Sequence, residues 1–225
     1  MSSCFADRAA AGRVLGQRLL ALHLKPPLVV LALPRGGVPV GAAVAQTLHA
    51  PLDLLLVRKI GAPWQPELAL AAVVEGDPPD IVVDDSVPRD PSRHGAYIAE
   101  QARLQLREIA RQRRVYLSGR PPPVLEGRTV VVVDDGIATG TTVRAALQAL
   151  RRRRPGALVL AVPVAPRETL ERLRREVDEL VCLHTPYPFV AVGEHYARFA
   201  QVEDHEVVDA LEAADRAQAE RRVDG

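Results

Sequence analysis

The run Val130-Val-Val-Val-Asp-Asp-Gly-Ile-Ala-Thr-Gly-Thr-Thr142 constrains this chain more than any other stretch. Four valines bounded by polar and glycine-bearing sequence predict a buried parallel strand. Asp134 and Asp135 end it. A short turn with Gly136 and Gly140 follows, and then Val143, Ala146, Leu147 and Leu150 recur at helical spacing, so the turn opens a helix N-terminus. Unpaired N–H groups and the positive end of the helix dipole attract an anion there, and Thr139, Thr141 and Thr142 add hydroxyl donors. The two aspartates are expected to face the same crevice from the carboxyl end of the strand, where a sugar diol or a hydrated divalent cation would be held. A phosphate beside a diol describes a ribose 5-phosphate. A turn that only caps a helix accounts for one threonine and one aspartate, not for the whole run.

The rest of the sequence fits one α/β domain of 225 residues. Charges nearly cancel, 29 basic against 28 acidic, which gives no reason to expect a nucleic-acid or membrane partner; anion-binding charge must be local. Cys4 and Cys182 are far apart, with no metal-ligand spacing around either, and no apolar run is long enough to cross a bilayer. A cytoplasmic, soluble protein is the expectation. Lysine occurs only at Lys25 and Lys59, arginine having taken its place elsewhere.

Along the chain, Ala10, Val14, Leu15, Arg18, Leu19 and Leu22 suggest an amphipathic first helix. Strand 28–33, a helix at 39–48 and strand 52–57 form a βαβ unit. Further strands are expected at 69–74, 81–83, 157–164 and 179–183, and helices at 168–175 and 206–221. Between residues 93 and 116 the spacing of Ile98, Ala102, Leu106 and Ile109 marks one helical face. Arg103, Arg107, Arg111 and Arg114 lie beside it and read as a solvated row. Pro34-Arg35-Gly36-Gly37 joins a strand to a helix, and its glycines let a bulky anion approach the backbone. Its spacing does not fit a dinucleotide fingerprint. Arg58 and Lys59 are expected to end the 52–57 strand on the same sheet edge, Lys59 supplying a compact ammonium.

The 130–142 run resembles the phosphoribosyl pyrophosphate motif of the type I phosphoribosyltransferases: hydrophobic strand, acidic pair, small residues, Thr-Gly and a final Thr in that order. Receiver domains also carry Asp-Asp after a strand, but near the N-terminus. Pro34 to Gly37 resembles the pyrophosphate loop of the same family. The stretch from Arg58 through Glu67 to Ala72 resembles a bacterial branch whose acceptor is unassigned. The resemblance spans roughly 28–199. It implies a mainly parallel α/β sheet flanked by helices in a single domain over 1–225, with a flexible lid at about 85–120 and a small C-terminal hood at about 184–205.

The implied activity is transfer of a 5-phosphoribosyl group from phosphoribosyl pyrophosphate to a small nitrogen acceptor, with Mg2+ as cofactor. Asp134 and Asp135 would grip the ribose hydroxyls and reach the metal indirectly. Ala138, Thr139, Gly140, Thr141 and Thr142 would hold the 5-phosphate, and Arg35, Gly36, Gly37, Arg58 and Lys59 the pyrophosphate. Asp134, Asp135, Arg35 and Lys59 would thus carry the catalytic roles. Phe189 and Tyr196 would belong to the acceptor hood, and His195 reads as solvent-facing. A homodimer is compatible with the resemblance. In the hypoxanthine and guanine enzymes an acidic residue stands three positions after the second aspartate. Ala138 occupies that position here, which argues against a 6-oxopurine acceptor. A module that senses phosphoribosyl pyrophosphate or a nucleotide would use the same motif. A Ser/His hydrolase is disfavoured because no G-x-S-x-G elbow exists.

Overall fold

The computed structural model describes residues 4–76, 78–83 and 91–223. Its centre is a parallel sheet of five strands: β1 (Leu28–Ala32), β2 (Leu52–Leu54), β6 (Thr129–Val133), β7 (Ala157–Val164) and β8 (Glu179–His184), ordered β2-β1-β6-β7-β8. The motif strand β6 lies in the middle and is buried throughout. Alternation along it explains the uninterrupted valines. Val131 and Val133 face a core shared with α1 (Arg8–Leu20), α2 (Gly37–Leu48) and α6 (Asp204–Val223), whereas Val130 and Val132 face α4 (Thr141–Arg152) and α5 (Arg167–Leu173). Helices on both faces of a parallel sheet were the expected architecture.

The expected strand at 52–57 divides between two sheets. β2 stops at Leu54, and Leu55 and Leu56 carry the chain across, the Leu55 N–H donating to the Ala32 carbonyl at 2.9 Å. Val57–Ala62 is β3, which pairs antiparallel with β4 (Gln65–Val74), itself paired antiparallel with β5 (Asp80–Val83). Arg58 and Lys59 therefore lie within a hairpin and not at the carboxyl edge of the parallel sheet. The apolar run at 54–57 does not itself mark the point where the chain changes partners, because Leu55 and Leu56 are both buried on either side of it.

The first helix also turns differently from its expected face. Val14 is 53% exposed, and the buried stripe is Ala11, Gly12, Leu15, Gly16 and Leu19. The glycines set this rotation. A Cβ at Gly12 would stand 2.6 Å from the Val40 carbonyl oxygen, and one at Gly16 2.7 Å from Thr47 Cβ, so α1 and α2 touch nearly backbone to backbone.

Within the expected lid, residues 85–90 lie outside the described ones, and Pro91–Leu117 form one helix, α3. Ala102, Ile109, Tyr116 and Leu117 are buried in the core. Arg113 fastens the end of this helix. Its Nε donates to Glu75 Oε2 at 2.7 Å and its Nη2 to Glu75 Oε1 at 2.9 Å and Asp53 Oδ1 at 3.4 Å. The carboxylates also accept the backbone N–H groups of Leu56 and Leu54, the two residues where the chain leaves one sheet for the other. Burial nonetheless pushes the Asp53 carboxyl above the ordinary range. A guanidinium 11% exposed is thus the counter-ion for two buried acids. Removing one partner of such a cluster strands the remaining charge, at a cost of about 3–5 kcal/mol. Arg113→Ala should lower the unfolding free energy by that order in a urea titration, and a loss close to zero would show the cluster to be dispensable.

Candidate functional site

The carboxyl end of β6 delivers Asp134 and Asp135 into a crevice against the turn between β1 and α2. Gly36 and Gly37 make this approach possible. A Cβ at Gly36 would collide with Asp135 Oδ2, and one at Gly37 would lie 2.9 Å from the Val133 carbonyl and 3.1 Å from Asp134 Oδ1. The Pro34–Arg35 peptide just before them is cis. The two loops read separately in the sequence are therefore one surface, with the acidic pair pressed on the glycine pair.

Two adjacent carboxylates in a half-buried crevice are costly as anions. Burial, and then the charge of Asp135, raise the Asp134 carboxyl well above the usual carboxylate range. Burial raises Asp135 as well, against the pull of Arg8. The Asp135 N–H donates to Asp134 Oδ1 at 2.9 Å. Arg8, at the first position of α1, donates Nε to Asp135 Oδ2 at 2.7 Å, lies 3.7 Å from the centroid of the Phe199 ring, and donates Nη1 to the Ala200 carbonyl at 2.7 Å. One guanidinium faces two acids, and a further cation brought beside them would favour the ionised form of both carboxyls. Hard oxygen donors with excess charge suit Mg2+ through water or sugar hydroxyls.

Past the pair, the loop is held from outside. The Ile137 N–H donates to the Val164 carbonyl at 2.9 Å, and the buried Thr169 donates its hydroxyl to the Ala138 carbonyl at 2.8 Å. Gly140 is the N-cap of α4, with φ of 77°, a left-handed conformation that glycine adopts without strain. Having no side chain, it leaves the first-turn N–H groups of α4 uncapped and offered to an external acceptor. Thr139, Gly140 and Thr141 line a cavity of about 640 Å³ together with Arg144, Arg172 and, from β4, Ala72; the acidic pair and Gly36 and Gly37 lie outside its lining.

The remaining residues singled out in the sequence are distributed as follows. Arg35 reaches Asp204 at the start of α6, Nη1 to Oδ1 at 3.4 Å, and the Tyr116 hydroxyl donates to the same oxygen at 2.7 Å. These contacts, Tyr116 first, hold the Asp204 carboxyl below its ordinary value. Arg58 donates Nε to Gln105 Oε1 on α3 at 3.0 Å. Lys59 lies on the exposed side of β3, directly across the ladder from Ala72.

Tyr196 departs from its expected hood role. It is 5% exposed, packed against Phe5 and Phe199, and donates its hydroxyl to the Asp135 carbonyl at 2.5 Å. Such a ring leaves no face for a base to stack on; it braces the acidic turn. Phe189 is half-buried and stacks on His195, and Tyr187 is 99% exposed. His195 is not simply solvent-facing, because its Nε2 is sealed from water. Arg8, Thr169 and Asp204 were invisible to sequence reasoning, since each acts on a residue at least 31 positions away.

Comparison with known proteins agrees with this geometry. The phosphoribosyl transferase domain profile matches residues 8–197. Two Mycobacterium tuberculosis proteins, MT0597 of strain CDC 1551 and Rv0571c of strain H37Rv, whose names give phosphoribosyl transferase as a provisional assignment, are each 47% identical over 216 residues. The match takes in 96% of this chain and 48% of each relative, so the chain spans about half the length of the curated relatives it matches. The crystal structure of TT1426 from Thermus thermophilus superposes with a TM-score of 0.79 at 44% identity, covering 92% of this chain and 97% of that one. Motif, fold and relatives coincide: this chain belongs to the phosphoribosyl transferase domain family.

Proposed function

We propose that this protein transfers a 5-phosphoribosyl group from phosphoribosyl pyrophosphate to a small nitrogen acceptor and releases pyrophosphate. The observation that carries this reading is the acidic pair packed on Gly36 and Gly37 next to the uncapped start of α4. Those features would supply donors for a phosphate, acceptors for a diol and a backbone that a second phosphate group can approach, on adjoining turns that follow β6 and β1.

In this reading the first turn of α4 and the hydroxyls of Thr139, Thr141 and Thr142 fix the 5-phosphate, with the Ala138 and Gly140 backbone forming the rest of the cradle. Asp134 and Asp135 accept from the ribose hydroxyls. Positive charge developing at the anomeric carbon is stabilised by their negative field. Gly36 and Gly37 offer the pyrophosphate a close approach. Arg35 serves it after leaving Asp204, a partly exposed contact at 3.4 Å that is cheap to break. Arg58 and Lys59 would have to reach the pyrophosphate from the antiparallel sheet, Arg58 by leaving Gln105. Mg2+, when bound, neutralises the leaving pyrophosphate. Positioning supplies most of the rate, the nonreacting 5-phosphate orienting the reacting carbon. The single-domain reading, a lid formed by 85–120 and a hood at 184–205 that includes Phe189 belong to the same proposal, as do a cytoplasmic setting and homodimer assembly.

Asp134→Asn offers two readouts. A carboxyl with a higher pKa in the folded than in the unfolded chain binds more protons when folded between those two values, so stability falls as pH rises through that window and stays reduced above it. Asparagine removes this loss. The variant should melt higher than the wild type at pH 7 without ligand, with the gain shrinking as pH drops toward the ordinary carboxyl value. Its affinity for phosphoribosyl pyrophosphate with Mg2+ should fall roughly tenfold or more, one charge-assisted hydrogen bond being lost. Calorimetry that finds no wild-type binding, or no competition by ribose 5-phosphate, rejects the proposal. Binding without pyrophosphate release across a panel of bases identifies a sensor in place of a transferase.

Lys59→Ala should weaken phosphoribosyl pyrophosphate roughly tenfold while leaving a nucleoside monophosphate unaffected. Equal losses for both ligands would move Lys59 to the 5-phosphate. Limited trypsin digestion tests the lid: cleavage after the exposed Arg103 and Arg107 should be slowed by phosphoribosyl pyrophosphate with Mg2+. Cleavage unchanged at saturating ligand makes α3 a fixed structural helix.

A further inference from the structure

Three donors that no sequence spacing connects meet behind the acidic turn. A ligand atom from each of Cys4, His184 and His195 lies within 4.8 Å of the other two. Cys4 precedes α1, His184 ends β8, and His195 closes a short 3-10 helix, Val192–His195. We propose that these residues form a zinc site which ties the N-terminal segment to the wall supporting Asp135. This site is separate from the acidic pair and holds whether or not the protein is a transferase.

The donor set selects the metal. One thiolate and two imidazoles are borderline-soft ligands suited to Zn2+ and unlike the all-oxygen shells of Mg2+ or Ca2+. Tetrahedral zinc, with Zn–S of about 2.3 Å and Zn–N of about 2.0 Å, sets its ligand atoms roughly 3.3–3.7 Å apart, so the three donors need to close by at most about 1.5 Å. Cys4 is exposed and able to make that adjustment.

The backbone already holds the donors in place. The Phe5 N–H donates to the His195 carbonyl at 3.0 Å, the Ala197 N–H to the Phe5 carbonyl at 2.8 Å, and the Arg198 N–H to the Ala6 carbonyl at 3.0 Å. The imidazoles of His184 and His195 meet edge to face with centroids 5.6 Å apart. His195 Nε2 is shielded from solvent with no hydrogen-bond partner among the described residues, a cost that coordination through that nitrogen would remove. Three protein ligands leave the fourth tetrahedral position to water or an incoming anion. The adjacent residue, Tyr196, holds the Asp135 carbonyl, so metal at this point stiffens the support of the acidic pair.

The test uses the full chain freed of metal by a chelator, then titrated with Zn2+ and, separately, with Co2+ as a spectroscopic stand-in. The expected result is one equivalent of Zn2+ per chain, a raised melting temperature, and for Co2+ a thiolate charge-transfer band with the intense visible bands of tetrahedral coordination. Cys4→Ser should abolish the charge-transfer band and weaken zinc binding roughly tenfold or more, and His195→Ala should weaken it similarly. Cys182→Ser, which removes the chain's other thiol, should leave the band in place. Cys4→Ser leaves the Phe5 backbone contacts intact, so loss of folding does not confuse its result. Zinc binding that survives both Cys4→Ser and His195→Ala overturns the proposal. So does a cobalt spectrum without a thiolate band, or binding abolished by Asp134→Asn instead.

Discussion

Two carboxylates lie side by side at the end of a strand that has no water around it, and much of the structure answers the electrostatic problem this creates. Asp134 and Asp135 follow valines that are completely buried, so their backbone position is fixed by the sheet and their charges cannot withdraw. Arg8 meets one of them, Tyr196 braces the turn, and Gly36 and Gly37 give up their side chains to let the pair lie against the neighbouring loop. The compensation is incomplete. The raised carboxyl pKa values record that shortfall, and a cation brought against the pair would relieve it.

How much of this was legible depends on the range of the interaction. The strand at 157–164 and the helix following the motif were readable because their apolar periods are local, and the turn after the acidic pair because its glycines and threonines are contiguous. The division of 52–57 between two sheets was not. Leu55 and Leu56 are both buried, but in different cores, and hydrophobicity alone carries no label for which core it enters. The arginine row of α3 shows the same limit. Arg103, Arg107, Arg111 and Arg114 are exposed, as a solvated face should be, whereas the arginine that anchors the helix is Arg113, one place off the row. Its partners lie 38 and 60 residues back in the chain, beyond any spacing rule.

The candidate site divides along the same line. Side chains proposed to touch a phosphate or a diol come from two short segments and announce themselves. Those that position them are scattered: Arg8 acts over 127 residues, Thr169 over 31, and Asp204 over 169. Tyr196 illustrates the reverse error. An aromatic residue in the C-terminal segment suggests a stacking platform, but a hydroxyl directed at a backbone carbonyl makes it a strut.

The glycine contact between α1 and α2 works as a length gauge. Because Gly12 and Gly16 lack side chains, the axis of α1 runs close to α2, and Arg8 at its start comes within reach of Asp135. Gly16 is about 12 Å from Arg8 along the helix, too far for any direct influence on the carboxylates. A methyl group added there would push the rod outward and carry the guanidinium with it. The charge state of the acidic pair is thus written partly in the thickness of a helix–helix seam, so that residues with no polar atom beyond the backbone help to set how an anionic crevice meets its ligand.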